Sequence, residues 1–143
     1  MKKTSLLLVL VSLICITISC QKDEPLTPEL RPQDLVGTWE LRFLSGASPE
    51  QSGSVEVNKG NEIRFTATAF EKYSNGNLMA KGTYQLVKEK NAYTGSEVGY
   101  RLAYKFDQVS NGFDADVKEY VMLLDGRLVV YTSGDQEHYI KIR

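Results

Sequence analysis

From Leu35 onward the chain alternates apolar and polar residues with a period of two, the spacing of strands that bury one face. The run "GTWELRFL" (Gly37 to Leu44) places Trp39, Leu41 and Phe43 on one face, with Glu40 and Arg42 on the other. The run "EIRFTATAF" is predicted as one strand whose apolar face carries Ile63, Phe65 and Ala67. After a short run to Tyr73, Asn75-Gly76 signals a two-residue hairpin turn, because both positions favour positive φ. "LMAKGTYQLV" then keeps Leu78, Ala80, Gly82, Tyr84 and Leu86 in phase, and "VGYRLAYKF" sets Val98, Tyr100, Leu102, Tyr104 and Phe106 opposite Arg101 and Lys105. The end of the chain reads as a tight meander. "DVKEYVMLL" and "RLVVYTS" flank Asp125-Gly126, and Gly134-Asp135 leads into "HYIKIR".

This pattern predicts an all-β domain of about eight strands, with no amphipathic helical period. Eight antiparallel strands joined in order can close into an up-and-down barrel, which removes exposed edges; an open sandwich is the competing architecture. One segment breaks the pattern. In Tyr120 to Tyr131 both phases are apolar, with Val121 and Leu123 on one face and Tyr120, Met122 and Leu124 on the other. Either a bulge shifts the register there, or the hairpin has an apolar outer face that a partner or the rest of the chain covers.

The residues before Leu35 follow different rules. "MKKTSLLLVLVSLICITIS" pairs a basic start with about a dozen apolar residues, the layout of a secretory signal and short for a membrane span. Residues 1–19 are therefore expected to be a signal peptide. Of the two cysteines, Cys15 lies inside the apolar run, which leaves Cys20 without an intramolecular disulfide partner once the signal is removed. An exported free thiol would be a liability. Residues 21–34, "QKDEPLTPELRPQD", hold three of the four prolines and no hydrophobic period. Extended at about 3.1 Å per residue, such a spacer reaches roughly 40 Å.

The stretch "TISC" resembles the lipobox of bacterial lipoproteins, with Ser19 before a cysteine that is lipidated and becomes the mature N-terminus; Thr17 stands where that pattern usually has Leu. The resemblance implies an outer-membrane protein acylated, in part by palmitate, at Cys20. "QKDE", Gln21 to Glu24, is similar to the short signal that sends lipoproteins of Bacteroidetes-type bacteria to the cell surface, with the periplasmic face as the alternative. "LVGTWEL", Leu35 to Leu41, resembles the Gly-x-Trp signature of lipocalin-like barrels, and "KGTYQL" with "DGRLVVYTSGDQEHYIKIR" resembles lipocalin-like lipoprotein domains of the same bacteria. The resulting organisation is a signal peptide over 1–19, a lipidated Cys20 and tether over 20–34, and a lipocalin-like barrel over 35–143. The resemblance implies that Trp39 closes one end of the barrel, with Arg143 as the positional candidate for the basic residue packed over it. The Thr-Asp-Tyr motif of kernel lipocalins and their disulfide are missing, so no specific ligand carries over.

Chemistry is sparse. Charge is nearly balanced, with 17 Lys plus Arg against 18 Asp plus Glu, and no long basic tract offers a footprint for nucleic acid. The single histidine, His138, opens the last strand, no Gly-x-Ser-x-Gly elbow exists, and a zinc site lacks ligands. "DQVSNGFDADVKE" approaches a calcium loop, but Val109 and Lys118 occupy ligand positions, which leaves Asp114 and Asp116 as loop carboxylates. No enzyme, metal or cofactor is expected. The aromatic residues carry the remaining signal. Phe43, Phe65, Tyr84, Tyr100 and Tyr104 should face the barrel interior, either lining a small cavity open at the barrel mouth or filling it. The expected function is a membrane-anchored binding module for a small, mostly apolar ligand. The alternative is a non-catalytic accessory lipoprotein with a filled barrel, whose outer surface binds a protein partner.

Overall fold

A computed structural model describes residues 29–46 and 48–143. The expected signal peptide, Cys20 and the tether up to residue 28 lie outside the described residues. A four-residue helix, α1 (Pro32–Leu35), precedes nine strands: β1 (Gly37–Ser45), β2 (Gly53–Ser54), β3 (Glu62–Phe65), β4 (Ala69–Ser74), β5 (Asn77–Glu89), β6 (Gly99–Val109), β7 (Glu119–Leu124), β8 (Arg127–Tyr131) and β9 (Gln136–Lys141). Every pairing is antiparallel, and from β3 to β9 each strand hydrogen-bonds its sequence neighbours. β1 pairs with β3 through its first half and with β9, which closes an eight-stranded barrel; the short β2 adds to the second half of β1. The sheet has no open sandwich edge, and closure satisfies the outer strands of the meander against one another.

The two Asx-Gly turns form as their chemistry requires. Asn75 and Gly76 have φ of 49° and 77°, and Asp125 and Gly126 have 50° and 75°, the paired left-handed residues of a type I′ hairpin. The expected single strand over "EIRFTATAF" is instead two. The hydroxyl of Thr66 accepts the backbone N–H groups of Thr68 and Ala69, an ST-turn that reverses the chain between β3 and β4 and takes Ala67 out of the strand. This moves the apolar phase of β4 onto Phe70 and Lys72, both buried.

The base of the barrel explains the Gly-x-Trp motif. Gly37 has φ of +140°, and a Cβ there would fall 2.4 Å from the Arg143 carbonyl oxygen, so only glycine fits as the chain turns from α1 into β1. Trp39 then plugs the base. Its indole N–H donates to the Leu35 carbonyl at 2.6 Å, and Leu35 is itself fully buried. The cation over the indole is not Arg143 but Lys141, whose Nζ stands 5.4 Å from the ring centroid; Arg143 is exposed and takes part through its backbone, accepting from Thr38 N–H. The two-residue offset follows from the register, which pairs Trp39 with Lys141 directly across the strands.

Residues 29–34, read from sequence as the end of the tether, are packed onto the barrel. Leu30 contacts the core, the Pro32 carbonyl accepts from the Tyr84 hydroxyl, and Arg31 and Asp34 close a capping box around α1. The packed part of the chain therefore includes Leu30 to Asp34, ahead of the start expected at Leu35.

The apolar double phase of Tyr120 to Tyr131 is resolved by register. β7 and β8 pair without a bulge from Tyr120↔Tyr131 to Leu124↔Arg127. Both faces are thus apolar: Val121, Leu128 and Val130 point into the core, while Met122, Val129, His138 and Phe43 form a row across the outside of β7, β8, β9 and β1. The bulge lies in β1, between Leu41 and Phe43.

Candidate flank cavity and buried mouth cluster

The core along the barrel axis is occupied by side chains. At the base, Phe65 packs edge-on to Tyr84 with ring centroids 5.0 Å apart, and the Tyr84 hydroxyl donates to the Thr66 carbonyl at 2.9 Å. Burial pushes the Tyr84 phenol above its ordinary range. Higher up, Phe70 packs on Tyr104 and Phe106, and Phe113 from the β6–β7 loop packs on Phe106 and lies against the core. Offset and edge-on contacts of this kind are the arrangement aromatic quadrupoles prefer.

Inside this aromatic mouth sits a cluster of ionisable groups. The Lys72 ammonium from β4 and the Tyr104 hydroxyl from β6 both donate to the Glu119 carboxylate from β7, one to each oxygen. Beside them on β9, the Tyr139 hydroxyl donates to Glu137 at 2.8 Å. The Lys72 charge also lies 5.4 Å from the Tyr104 ring centroid and 5.7 Å from that of Phe113. Burial raises both phenols well above their usual range, reinforced by Glu119 for Tyr104 and by Glu137 for Tyr139. Desolvation likewise raises the Glu137 carboxyl against the opposing pull of Lys72 and Tyr139. Each of these groups lies in the inward phase of its strand: Lys72 with Phe70, Glu119 with Val121, Glu137 with Tyr139. The charge at an apolar phase was the available signal; the merged reading of β3 and β4 hid it for Lys72.

A cavity lies on the flank of the barrel. β6 and β7 pair only from Tyr100↔Val121 to Leu102↔Glu119, and beyond Tyr100 the two strands part. The β5–β6 loop (residues 90–98) folds across the gap, held by the Tyr93 hydroxyl on the Lys118 carbonyl and by the Tyr93 ring edge-on to Tyr120. Together with the N-terminal segment 29–34, these elements border a half-open cavity of about 950 Å³. Leu30, Val98, Val121, Met122 and Leu123 supply its apolar wall, and Asn91, Thr94, Ser96, Tyr100 and Tyr131 its polar groups. A volume near the upper end of those that hold drug-sized ligands, mostly apolar with a few polar groups, is the usual form of a small-molecule site.

The five aromatic residues expected to line a ligand space therefore divide. Tyr100 lines the flank cavity. Phe65, Tyr84 and Tyr104 are committed to core packing and hydrogen bonds. Phe43 is turned outward by the β1 bulge, 39 % exposed, its ring edge-on to His138 at 5.7 Å. His138 is accordingly an outer-face residue in the middle of β9, and burial followed by Arg127 lowers its pKa. Asp114 and Asp116 are exposed, and the Asp114 carboxylate accepts the Asp116 N–H within the loop. No protein family, curated protein or solved structure matches this chain.

Proposed function

We propose that this protein is a lipid-anchored, non-catalytic binding lipoprotein of the bacterial outer membrane, displayed at the cell surface, whose barrel takes a small, mostly apolar ligand. The flank cavity carries this reading: it joins an apolar wall to a polar rim beside a barrel core packed with aromatic side chains. The ligand site thus moves from the mouth, where a lipocalin-like barrel would hold it, to the gap between β6 and β7. The lipobox-like "TISC" and the charged "QKDE" support the anchor and the address. With residues 29–34 docked on the barrel, the link from Cys20 to Glu29 spans at most roughly 30 Å when fully extended. Glu29 also lines the cavity, so the cavity lies on the side from which the anchor departs.

Two measurements test the two parts. Cys20→Ala should release the protein from membranes; a variant that still partitions with them and carries lipid defeats the anchor. Val98→Trp fills the cavity from its exposed wall and should abolish the fluorescence of an anilinonaphthalene dye bound to the wild-type chain. Dye binding that survives the bulky side chain places the apolar site elsewhere. The second reading is an accessory lipoprotein that binds a protein partner through its outer face, with the exposed Phe43 and the half-buried Met122 and His138 in its favour. Under it, Phe43→Glu would abolish partner capture while Val98→Trp leaves it unchanged.

A further inference from the structure

The hydrogen-bonding groups that face the flank cavity are unequally used. Asn91 is 6 % exposed, and its side-chain oxygen accepts the backbone N–H groups of Tyr93 and Thr94 at 2.9 and 3.1 Å. Among the described residues its Nδ2 donates to no partner, and the hydroxyls of Tyr100 and Tyr131 likewise have none, although all three residues line the cavity. None of the three is an orphan sealed in the core; each is open to the cavity and so available to a ligand. Three free hydrogen-bonding groups facing one space call for a ligand that carries acceptor oxygens at that end.

The charges on the rim define the ligand further. Arg31 lines the cavity, but two of its guanidinium nitrogens donate to Asp34, at 3.3 and 3.0 Å. The cations that flank the cavity on β5, the β5–β6 loop and β6 are matched too: Lys88 faces Glu29 at 3.8 Å, Lys90 faces Glu97 at 2.7 Å, and Arg101 faces Glu89 at 2.8 Å. The charged residues lining the cavity are Glu29, Asp34 and the single, already paired Arg31. An anionic head would meet carboxylates without a free cation. A cationic head would leave Asn91 Nδ2, a pure donor, unanswered.

We infer that the ligand of this cavity is an uncharged single-chain amphiphile, its alkyl chain against Leu30, Val121 and Leu123 and its hydroxyl or ester oxygens at Asn91, Tyr100 and Tyr131. This rests on the proposed binding reading and specifies its ligand. Apolar side chains and unpartnered hydrogen-bonding groups border the same space, and an uncharged head on an alkyl chain answers both. Glycerol monoesters and long-chain alcohols belong to the class; fatty acids and alkylamines of the same length do not.

The test uses the full chain purified in membrane discs and irradiated with diazirine analogues of a monoacylglycerol, a fatty acid and an alkylamine of one chain length, together with a plain diazirine alkane. Cross-linked peptides are mapped. The monoacylglycerol analogue should label 98–102 and 121–124 at least about tenfold more than either charged analogue, and unlabelled monolaurin should compete while laurate does not. Asn91→Asp keeps the acceptor that holds the loop and removes the donor, and Tyr131→Phe removes one hydroxyl. Each should weaken monoacylglycerol labelling by about threefold to tenfold and leave alkane labelling unchanged. Equal labelling by all heads, preference for a charged head, or indifference to both variants overturns the amphiphile. Alkane labelling that persists in those cases leaves the apolar site standing. If no probe, the alkane included, labels these peptides, the binding function itself fails.

Discussion

Lys72 and Glu119 meet inside the barrel as a buried ion pair, 47 residues apart in sequence, with side chains 11 % and 9 % exposed. The pair joins β4 to β7 across the interior, and the Tyr104 hydroxyl completes the carboxylate's hydrogen bonds. Removing one member strands the other charge. Lys72→Ala is expected to cost about 3–5 kcal/mol, whereas the triple replacement Lys72→Met, Glu119→Leu and Tyr104→Phe is expected to be near neutral or stabilising. Urea unfolding of the variants decides this. A loss in the triple variant as large as in Lys72→Ala would mean that the ion pair itself, not relief from an orphaned charge, holds the mouth together.

Glu137 competes for the same cation and gives the mouth a pH dependence. The groups around it are Lys72, Tyr139, Glu119 and Asp135, and burial dominates, so its folded carboxyl titrates above the unfolded value of about 4.3. Between those two points the folded state binds more protons than the unfolded one, so this residue makes stability fall as pH rises through the window. Glu137→Gln keeps an acceptor for the Tyr139 hydroxyl and removes the charge. It should raise the unfolding midpoint at neutral pH, and the gain should shrink as pH drops below the ordinary carboxylate range. A gain that is constant with pH, or grows on acidification, contradicts the assigned direction.

The architecture was legible in the sequence wherever one face of a strand meets the core and the other meets water. Ile63 and Phe65 against Arg64, or Tyr100, Leu102 and Tyr104 against Arg101, report strand and face directly, and the Asx-Gly pairs report the turns. What failed to read through was local geometry without a hydrophobic signature. The ST-turn at Thr66 sits between Phe65 and Phe70, where the phenylalanines and the two threonines carry strand propensity and mask the reversal. The β1 bulge changes the face of Phe43 without changing its residue type. The flank cavity depends on where β6 and β7 separate, and that is set by loop 90–98, which carries no period at all. The Asn91 side chain was invisible for the same reason: its role comes from a loop conformation, with Asn91 N–H on the Ser96 carbonyl and Gly95 N–H on the Asn91 carbonyl.

Gly82 marks the point where β5 and β6 change register, between Lys81 and Gly82. A Cβ there would lie 2.1 Å from the Lys105 carbonyl oxygen, a backbone atom held in the β5–β6 ladder. The clash cannot be relieved by rotating a side chain. Gly82→Ala is therefore expected to destabilise by about 1–3 kcal/mol, the cost of overpacking, while Gly53→Ala, where a Cβ meets nothing within 4 Å, serves as the control. Equal thermal midpoints for the two variants would show that the strands separate there at no cost.

The Trp39 plug links the base of the barrel to the flank cavity. Its indole N–H holds the last carbonyl of α1, and α1 in turn carries the segment from which Leu30 and Arg31 line the cavity. Trp39→Phe keeps an aromatic ring in the base but leaves the buried Leu35 carbonyl without its donor, a loss of about 1–3 kcal/mol. The consequence should be local before it is global. Amide exchange at Val36, whose N–H bonds to the Gln33 carbonyl, should accelerate at pH and temperature where the amides of β5 and β6 remain protected. Binding of an apolar dye in the flank cavity should weaken in parallel, because one wall of the cavity is then free to move. Uniform acceleration across β5, β6 and Val36 together would instead place α1 in the same cooperative unit as the barrel, and the cavity wall would open only when the whole domain unfolds.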